Sequence, residues 1–348
     1  MENNINPILS VIIPIYNVEK HVEKCIKSAL NINLKNTQII LINDGSTDKS
    51  GLIADSFSKS DSRVKVIHSI NKGVSHARNL GLKHATAKWV YFIDGDDEVY
   101  ENAFDNIDFD ENFKMVLGNF SWVNINETRF FYSDNDIGIY NGHEIVLKYG
   151  LCKQKILMGS FIINREIIKS NNLEFNINTK YAEDVEFIYY CLLNSSKVIS
   201  VSNTFFNYKM HNESAISKIS FNRFDNYISK ERVLNYIYEN FSHLEDQKSM
   251  FQGLVLPEAL INTLELLCKK GFKLSLINKH LKENNFNKSL LKKNFNNYTS
   301  VELKNKISLY SSFPLIFYIS NYYNEEYYNL RVFISKSLRF LFKNKLTN

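Results

Sequence analysis

Trp89-Val90-Tyr91-Phe92-Ile93-Asp94-Gly95-Asp96-Asp97 passes from five consecutive apolar side chains to three carboxylates interrupted by a single glycine. An unbroken apolar run of this length suits a central strand covered on both faces of a sheet, since a half-solvated strand would alternate. Three more such runs precede it, at 9–15, 37–42 and 64–67, and the stretches between them, 19–30, 50–58 and 74–84, repeat apolar residues at helical spacing. The order β-α-β-α-β-α-β predicts an α/β fold on a doubly wound, mostly parallel sheet.

Ligands of such sheets sit beyond the C-terminal ends of the strands. Three of those ends are polar here: Pro14-Ile15-Tyr16-Asn17, Asn43-Asp44-Gly45-Ser46-Thr47-Asp48 and Asp94-Gly95-Asp96-Asp97. Each alone would pass for a turn, because Asp-Gly and Asn-Asp-Gly are ordinary loop formers. At successive strand ends they converge on one edge. A turn at Gly95 brings Asp94 and Asp96 together, and two like charges at close range are tolerable with a cation between them. Mg²⁺ and Mn²⁺ prefer carboxylate oxygens and keep positions open for phosphate oxygens, which points to a diphosphate site. Asp44 could accept a hydrogen bond from a base N–H or cap the following helix, and Tyr16 could stack on that base. Lys72 and Arg78, in Asn71-Lys72-Gly73-Val74-Ser75-His76-Ala77-Arg78-Asn79, could face phosphates or solvent.

Together, the segment 10–17, Asn43 to Asp48, the segment 71–81 and Asp94 to Asp97 resemble the inverting family 2 glycosyltransferases, densely over about the first hundred residues. The resemblance implies a GT-A fold, a nucleotide-diphosphate donor of the UDP-sugar kind, and Mn²⁺ or Mg²⁺ as cofactor. It implies that Asp44 contacts the donor base, that Asp94 helps hold the nucleotide and that Asp96 binds the metal; Pro14, Tyr16 and Arg78 join the donor site, and Asp94 the metal site, on the reading of the strand ends. Tyr181-Ala182-Glu183-Asp184-Val185-Glu186-Phe187 opens a helix and resembles the family's Glu-Asp motif. An acid pair there could simply favour the helix dipole, but inversion needs a base opposite the diphosphate. The motif implies Asp184 as that base, with Glu183 supporting it. The run 208–217 resembles the segment after the acceptor helix, with Lys209 where Arg is usual; His211 is the candidate third metal ligand, against a structural role.

The remaining chain is helical by pattern, which divides it into a catalytic domain at 1–218 and a mainly helical region at 219–348. With 44% apolar and 23% charged residues and a net charge of +5, the composition is that of a folded enzyme with no call for a nucleic-acid partner. The basic excess falls on Lys269 to Lys293. Cys25, Cys152, Cys191 and Cys268 form no CxxC pair, which fits reduced thiols. No signal peptide is read at the N-terminus, and no apolar stretch reaches the roughly 18 to 20 residues of a membrane span. The segment 330–346 sets Leu330, Phe333, Ile334, Leu338 and Leu341 against Lys336, Arg339 and Lys343, a basic amphipathic helix that docks on an anionic membrane surface or packs on the core. The expectation is a cytoplasmic enzyme, peripheral on the inner face of the cell membrane, adding a sugar to a glycan or lipid-diphosphate-linked acceptor. The competing class is a catalytically inactive GT-A-like scaffold that binds nucleotide or glycan. A sugar nucleotidyltransferase would need a Gly-rich loop after the first strand, where this chain has Pro14 to Asn17.

Overall fold

The computed structural model describes residues 7–109, 112–123, 129–132, 135–210, 219–286 and 294–322. The first third forms three α/β repeats: β1 (Leu9–Ile15), α1 (Val22–Leu30), β2 (Thr37–Asp44), α2 (Ser50–Ser60), β3 (Val64–Ser69), α3 (Val74–His84) and β4 (Trp89–Phe92). These are the four strands and three helices read from the sequence. Helix α1 starts at Val22 and not at 19; ahead of it the backbone N–H groups of Val18 and Glu19 donate to Ser50 Oγ (2.9 Å) and Asp48 Oδ2 (3.0 Å).

Strands β2 and β4 both pair in parallel with β1, so the direction of winding reverses at the β1/β4 boundary. Beyond them come β5 (Glu98–Val99), β6 (Met115–Val123), β7 (Arg129–Tyr132), β8 (Gly138–Tyr140), α4 (Gly142–Gly150), β9 (Phe161–Asn164), α5 (Arg165–Ser170), α6 (Glu183–Leu193) and β10 (Val198–Lys209). The sheet runs β3-β2-β1-β4-β9-β6-β10-β5, parallel as far as β4 and mixed after it. Leu9, Val11, Ile12, Ile13 and Ile15 are fully buried, as are Trp89 to Ile93, which is the two-faced coverage their unbroken apolar runs require.

Two compact units divide the chain. The first is Met1–Ser217 with Ile228–Lys248, and the second is Lys218–Tyr227 with Ser249–Asn348. The sheet unit therefore takes in most of α7 (Asp225–Asn240), which the sequence break at 218/219 leaves outside it. Arg232 of α7 donates to both carboxylate oxygens of buried Glu186 on α6, at 2.7 and 2.6 Å, and the same helix buries Val233 and Ile237 and packs Tyr236 against Tyr190.

After α8 (Glu245–Met250), a π-helical turn at Phe251–Val255 leads into α9 (Leu256–Lys269). Pro257 has no N–H to return to Gly253, and the Gly253 carbonyl accepts from Thr299 Oγ1 at 2.6 Å instead. Contrary to the sequence expectation, Glu245–Lys269 is long and apolar enough to cross a membrane by length and composition alone; 67% of its most apolar window is buried inside the protein. Helices α10 (Leu274–Glu283), α11 (Val301–Ser312) and α12 (Pro314–Tyr322) complete the second unit, with Leu264, Leu267, Ile277, Ile307 and Phe317 in its core. The amphipathic segment 330–346 lies outside the described residues.

Candidate active site

Loops from β1, β2 and β3 are laced together at the C-terminal edge of the sheet. Asn17, in the left-handed region at φ 51°, accepts from Thr47 N at 2.8 Å through Oδ1, and its own N–H donates to Ser46 Oγ at 3.2 Å. Glu19 Oε2 accepts from Lys49 N at 3.0 Å. The preceding Tyr16 keeps a half-exposed ring, 50% accessible, on a loop fixed from both sides. Asp44 is buried and faces the next loop: Oδ1 accepts from Ser69 Oγ (3.1 Å) and Lys72 N (3.0 Å), and Oδ2 from Gly73 N (2.8 Å). It caps no helix of its own. It pins the start of α3, and a base N–H would have to use its remaining lone pair.

At the end of β4 the chain turns, with Asp97 N donating to Asp94 O at 3.0 Å. A Cβ on Gly95 would stand 3.0 Å from Pro14 O, so a side chain there requires the acidic turn to back away from β1 by a few tenths of an ångström. Asp97 is buried and accepts from Lys209 N at 2.9 Å, which ties the turn to β10; Lys209 Nζ pairs with Glu98. Burial, followed by the charges of Asp96 and Asp94, pushes the Asp97 carboxyl well above the ordinary carboxylate range. Burial also raises the Tyr208 hydroxyl, to about 12, with Asp97, Asp96 and Asp94 adding to it.

Arg78 links this turn to the acidic helix start. The residue is 3% exposed, and its guanidinium lies 5.3 Å from the centre of the Phe175 ring. Nη2 donates to Asp94 Oδ1 at 2.8 Å and Nη1 to Glu183 Oε1 at 3.0 Å. Burial opposes the charge, but Asp94, Glu183 and Asp184 outweigh it and hold the guanidinium protonated. Sequence reading left Arg78 facing phosphate or solvent; the structure gives both its terminal nitrogens carboxylate partners.

Helix α6 begins at Glu183 after Ala182, which sits in the left-handed region at φ 61°. A non-glycine residue there costs about 1–3 kcal/mol, and strain of this kind persists where surrounding packing dictates the direction of the chain. Burial raises the carboxyls of both Glu183 and Asp184. Asp184 adds to the rise at Glu183, while Arg78 opposes it at both. Asp184 Oδ1 accepts from Val185 N at 2.8 Å, and the residue remains half-buried at the helix start. A half-buried acid with a raised pKa can take a proton from an attacking hydroxyl.

Among the described residues, no three His, Cys, Asp or Glu side chains converge to hold an ion unaided. His211, the expected third ligand, lies outside the described residues. The acidic turn carries the oxygen donors that a divalent cation prefers. Asp94, Asp96, Asp97 and Glu98 crowd five positions, and the charges of Asp94 and Asp96 are felt at Asp97 and Tyr208. Asp96 and Asp94 would be its protein ligands, and diphosphate oxygens and water would complete the shell, as Mg²⁺ sites commonly require.

Sequence reasoning missed three contributors. Asp97 stood in the quoted motif without a role. The Glu186–Arg232 pair carries no local signal, and neither does the exchange between Asn79 and the backbone of Phe175. Each is made by residues far apart in the chain.

Residues 10–169 match the family model described as glycosyl transferase family 2. The chain is 32% identical over 197 residues to the uncharacterized glycosyltransferase EpsJ of Bacillus subtilis (strain 168), covering 52% of this chain and 55% of EpsJ. It is 30% identical over 224 residues to the minor teichoic acid biosynthesis protein GgaB of the same organism, covering 61% of this chain and 24% of GgaB. The chain thus spans little more than half of one relative and a quarter of the other. Among solved structures it resembles S. aureus TarS 1-349 in complex with UDP-GlcNAc, at 17% identity and a TM-score of 0.65, covering 90% of this chain and 89% of that one. A mannosyltransferase from Pyrobaculum calidifontis in complex with GDP-Man and Mn²⁺ aligns with a TM-score of 0.51 at 12% identity, over 89% and 88% of the two chains. At these identities the likeness is one of fold, the GT-A α/β architecture with C-terminal helices.

Proposed function

We propose that this chain, whose sheet domain belongs to glycosyl transferase family 2 over residues 10–169, transfers a sugar from a UDP-sugar to an acceptor hydroxyl with inversion at the anomeric carbon. The observation that carries the reading is the double hydrogen bond of Arg78. One buried guanidinium joins Asp94 of the donor-side turn to Glu183 of the acid pair, so both chemistries share a single site. The UDP-GlcNAc held by TarS, a neighbour of the same fold, supports the choice of donor.

In this reading Tyr16 offers its exposed ring to the base, and Asp44 holds the loop of Lys72 and Gly73 along the donor. Asp94 and Asp96 face the diphosphate. A divalent cation bound there supplies Lewis-acid neutralisation of charge on the leaving diphosphate. Asp184 accepts the proton of the acceptor hydroxyl as its oxygen bonds to the anomeric carbon, and the bond from that carbon to the diphosphate oxygen breaks with its electron pair. Burial, with the charge of Asp94 adding to it, raises the affinity of Asp184 for the proton it must take, and Glu183 ties the acid pair to Arg78.

The acceptor belongs to a surface glycan or a lipid-diphosphate-linked precursor, a reading that the teichoic acid role in GgaB's name supports. Docking of the chain on the inner face of the cell membrane belongs to the same proposal and rests on the basic amphipathic pattern of 330–346. The test is donor hydrolysis and transfer from a panel of UDP-sugars with Mn²⁺, comparing wild type with Asp184→Asn and Asp96→Ala. Turnover is expected to drop by about 10²-fold or more in each variant with the fold intact. Undiminished turnover in both overturns the mechanism, and tight UDP binding without turnover on any acceptor favours the inactive scaffold.

A further inference from the structure

Arg78 is the fifth residue of α3, a helix that starts at the donor edge, where a cation can reach phosphate. Its surroundings direct it elsewhere. The side chain is 4% exposed, and each terminal nitrogen is committed to a different carboxylate at 2.8 and 3.0 Å. One face of the guanidinium lies toward the Phe175 ring, and Phe175 itself stacks on Phe187 of α6 with ring centres 3.9 Å apart. One N–H on each terminal nitrogen is held by a carboxylate and Nε is buried without a protein partner, so a phosphate oxygen reaches Arg78 only by opening the packing that leaves the side chain 4% exposed.

From this packing we infer that Arg78 is a positioning residue: it never touches the donor, and it sets the acid pair of α6 against the acidic turn of β4 through its two carboxylate partners. The consequence is a division of labour that the family resemblance does not assign. Donor contacts belong to the laced loops of β1, β2 and β3 and to the Asp94–Asp96 turn, and Arg78 governs the placement of the catalytic base. A lysine at 78 keeps the charge but cannot bond two carboxylates in a planar fork, so it lets one side go.

The inference rests on the glycosyltransferase reading only for its kinetic arm. UDP affinity is measured by calorimetry, and donor KM and kcat by transfer, for wild type, Arg78→Lys, Arg78→Ala, Glu183→Gln and the Arg78→Lys/Glu183→Gln double variant. For Arg78→Lys we expect UDP affinity and donor KM within about twofold of wild type and kcat down by about tenfold or more. The double variant should be little worse than the poorer single one, because both substitutions release the same contact. A loss of UDP affinity of about tenfold with kcat preserved means direct phosphate contact and overturns the inference. Additive losses in the double variant also overturn it. Should Arg78→Ala fail to fold, the lysine variant and the cycle still decide. A wild type without turnover on any donor counts against the glycosyltransferase reading, and the UDP affinities of the Arg78 variants then still separate positioning from phosphate contact.

Discussion

Asn79 and Phe175, 96 residues apart, exchange two hydrogen bonds of 2.8 Å: Asn79 Nδ2 donates to the Phe175 carbonyl, and Phe175 N donates to Asn79 Oδ1. One side chain thus stands in for a strand partner and fastens the segment leading to Glu183 onto α3, beside Arg78. Asn79→Ala should leave a backbone donor and acceptor unmet at a residue that is 2% exposed. Each unmet group costs about 1–3 kcal/mol, so a clear fall in Tm and in transfer rate is expected together. An unchanged Tm would show that water replaces the side chain without penalty.

The Glu186–Arg232 pair should show the asymmetry of a buried ion pair. Glu186 is 3% exposed and also accepts from Tyr190 Oη at 3.0 Å. Removing only Arg232 strands that charge, for which about 3–5 kcal/mol is expected, and Glu186→Gln in the same chain should restore part of it. Chemical denaturation of the two single variants and the double variant checks this; equal, additive losses would count against a coupled pair.

Asp44→Asn replaces one of two accepting oxygens with a donor. Whichever way the amide turns, one N–H of Lys72 or Gly73 then meets another N–H. Loosening of the 69–73 loop by about 1–3 kcal/mol is expected, and UDP affinity should fall even at temperatures where the variant is folded. Calorimetry with UDP reads it, and unaltered affinity would separate the loop from the donor.

The acid limb of activity should lie high. Burial raises both carboxyls of the acid pair, and the base works only when deprotonated, so falling pH inactivates it before an ordinary carboxylate, with a pKa of about 4 to 4.5, would be protonated. A profile of kcat/KM against pH, taken where wild type stays folded, checks the direction. An acid limb at or below the ordinary range contradicts the assignment of Asp184.

Chelation is the remaining test. EDTA should abolish transfer and Mn²⁺ or Mg²⁺ restore it, while Asp96→Ala should need a higher cation concentration for the same rate, because one ligand of the ion is gone. Full activity in EDTA would remove the cation from the reaction.

The first half of the fold was legible because a parallel strand buried on both faces is apolar at nearly every position. The runs at 9–15 and 89–93 announce themselves for that reason, and α3 and α6 begin and end where their spacing says. The order β9-β6-β10 was not legible. Those pairings join segments tens of residues apart, and no local pattern records which neighbour a strand will choose.

The site divides along the same line. Residue types and spacing alone determined that carboxylates stand at Asp44, Asp94, Asp96, Glu183 and Asp184, and that the first three occupy strand ends. Only the tertiary structure decided what each one faces: Asp44 its neighbouring loop, Asp97 the backbone of β10, and Arg78 two acids brought from β4 and α6. A side chain's partner depends on which distant segments the packed core sets beside it, and burial then makes that partner obligatory.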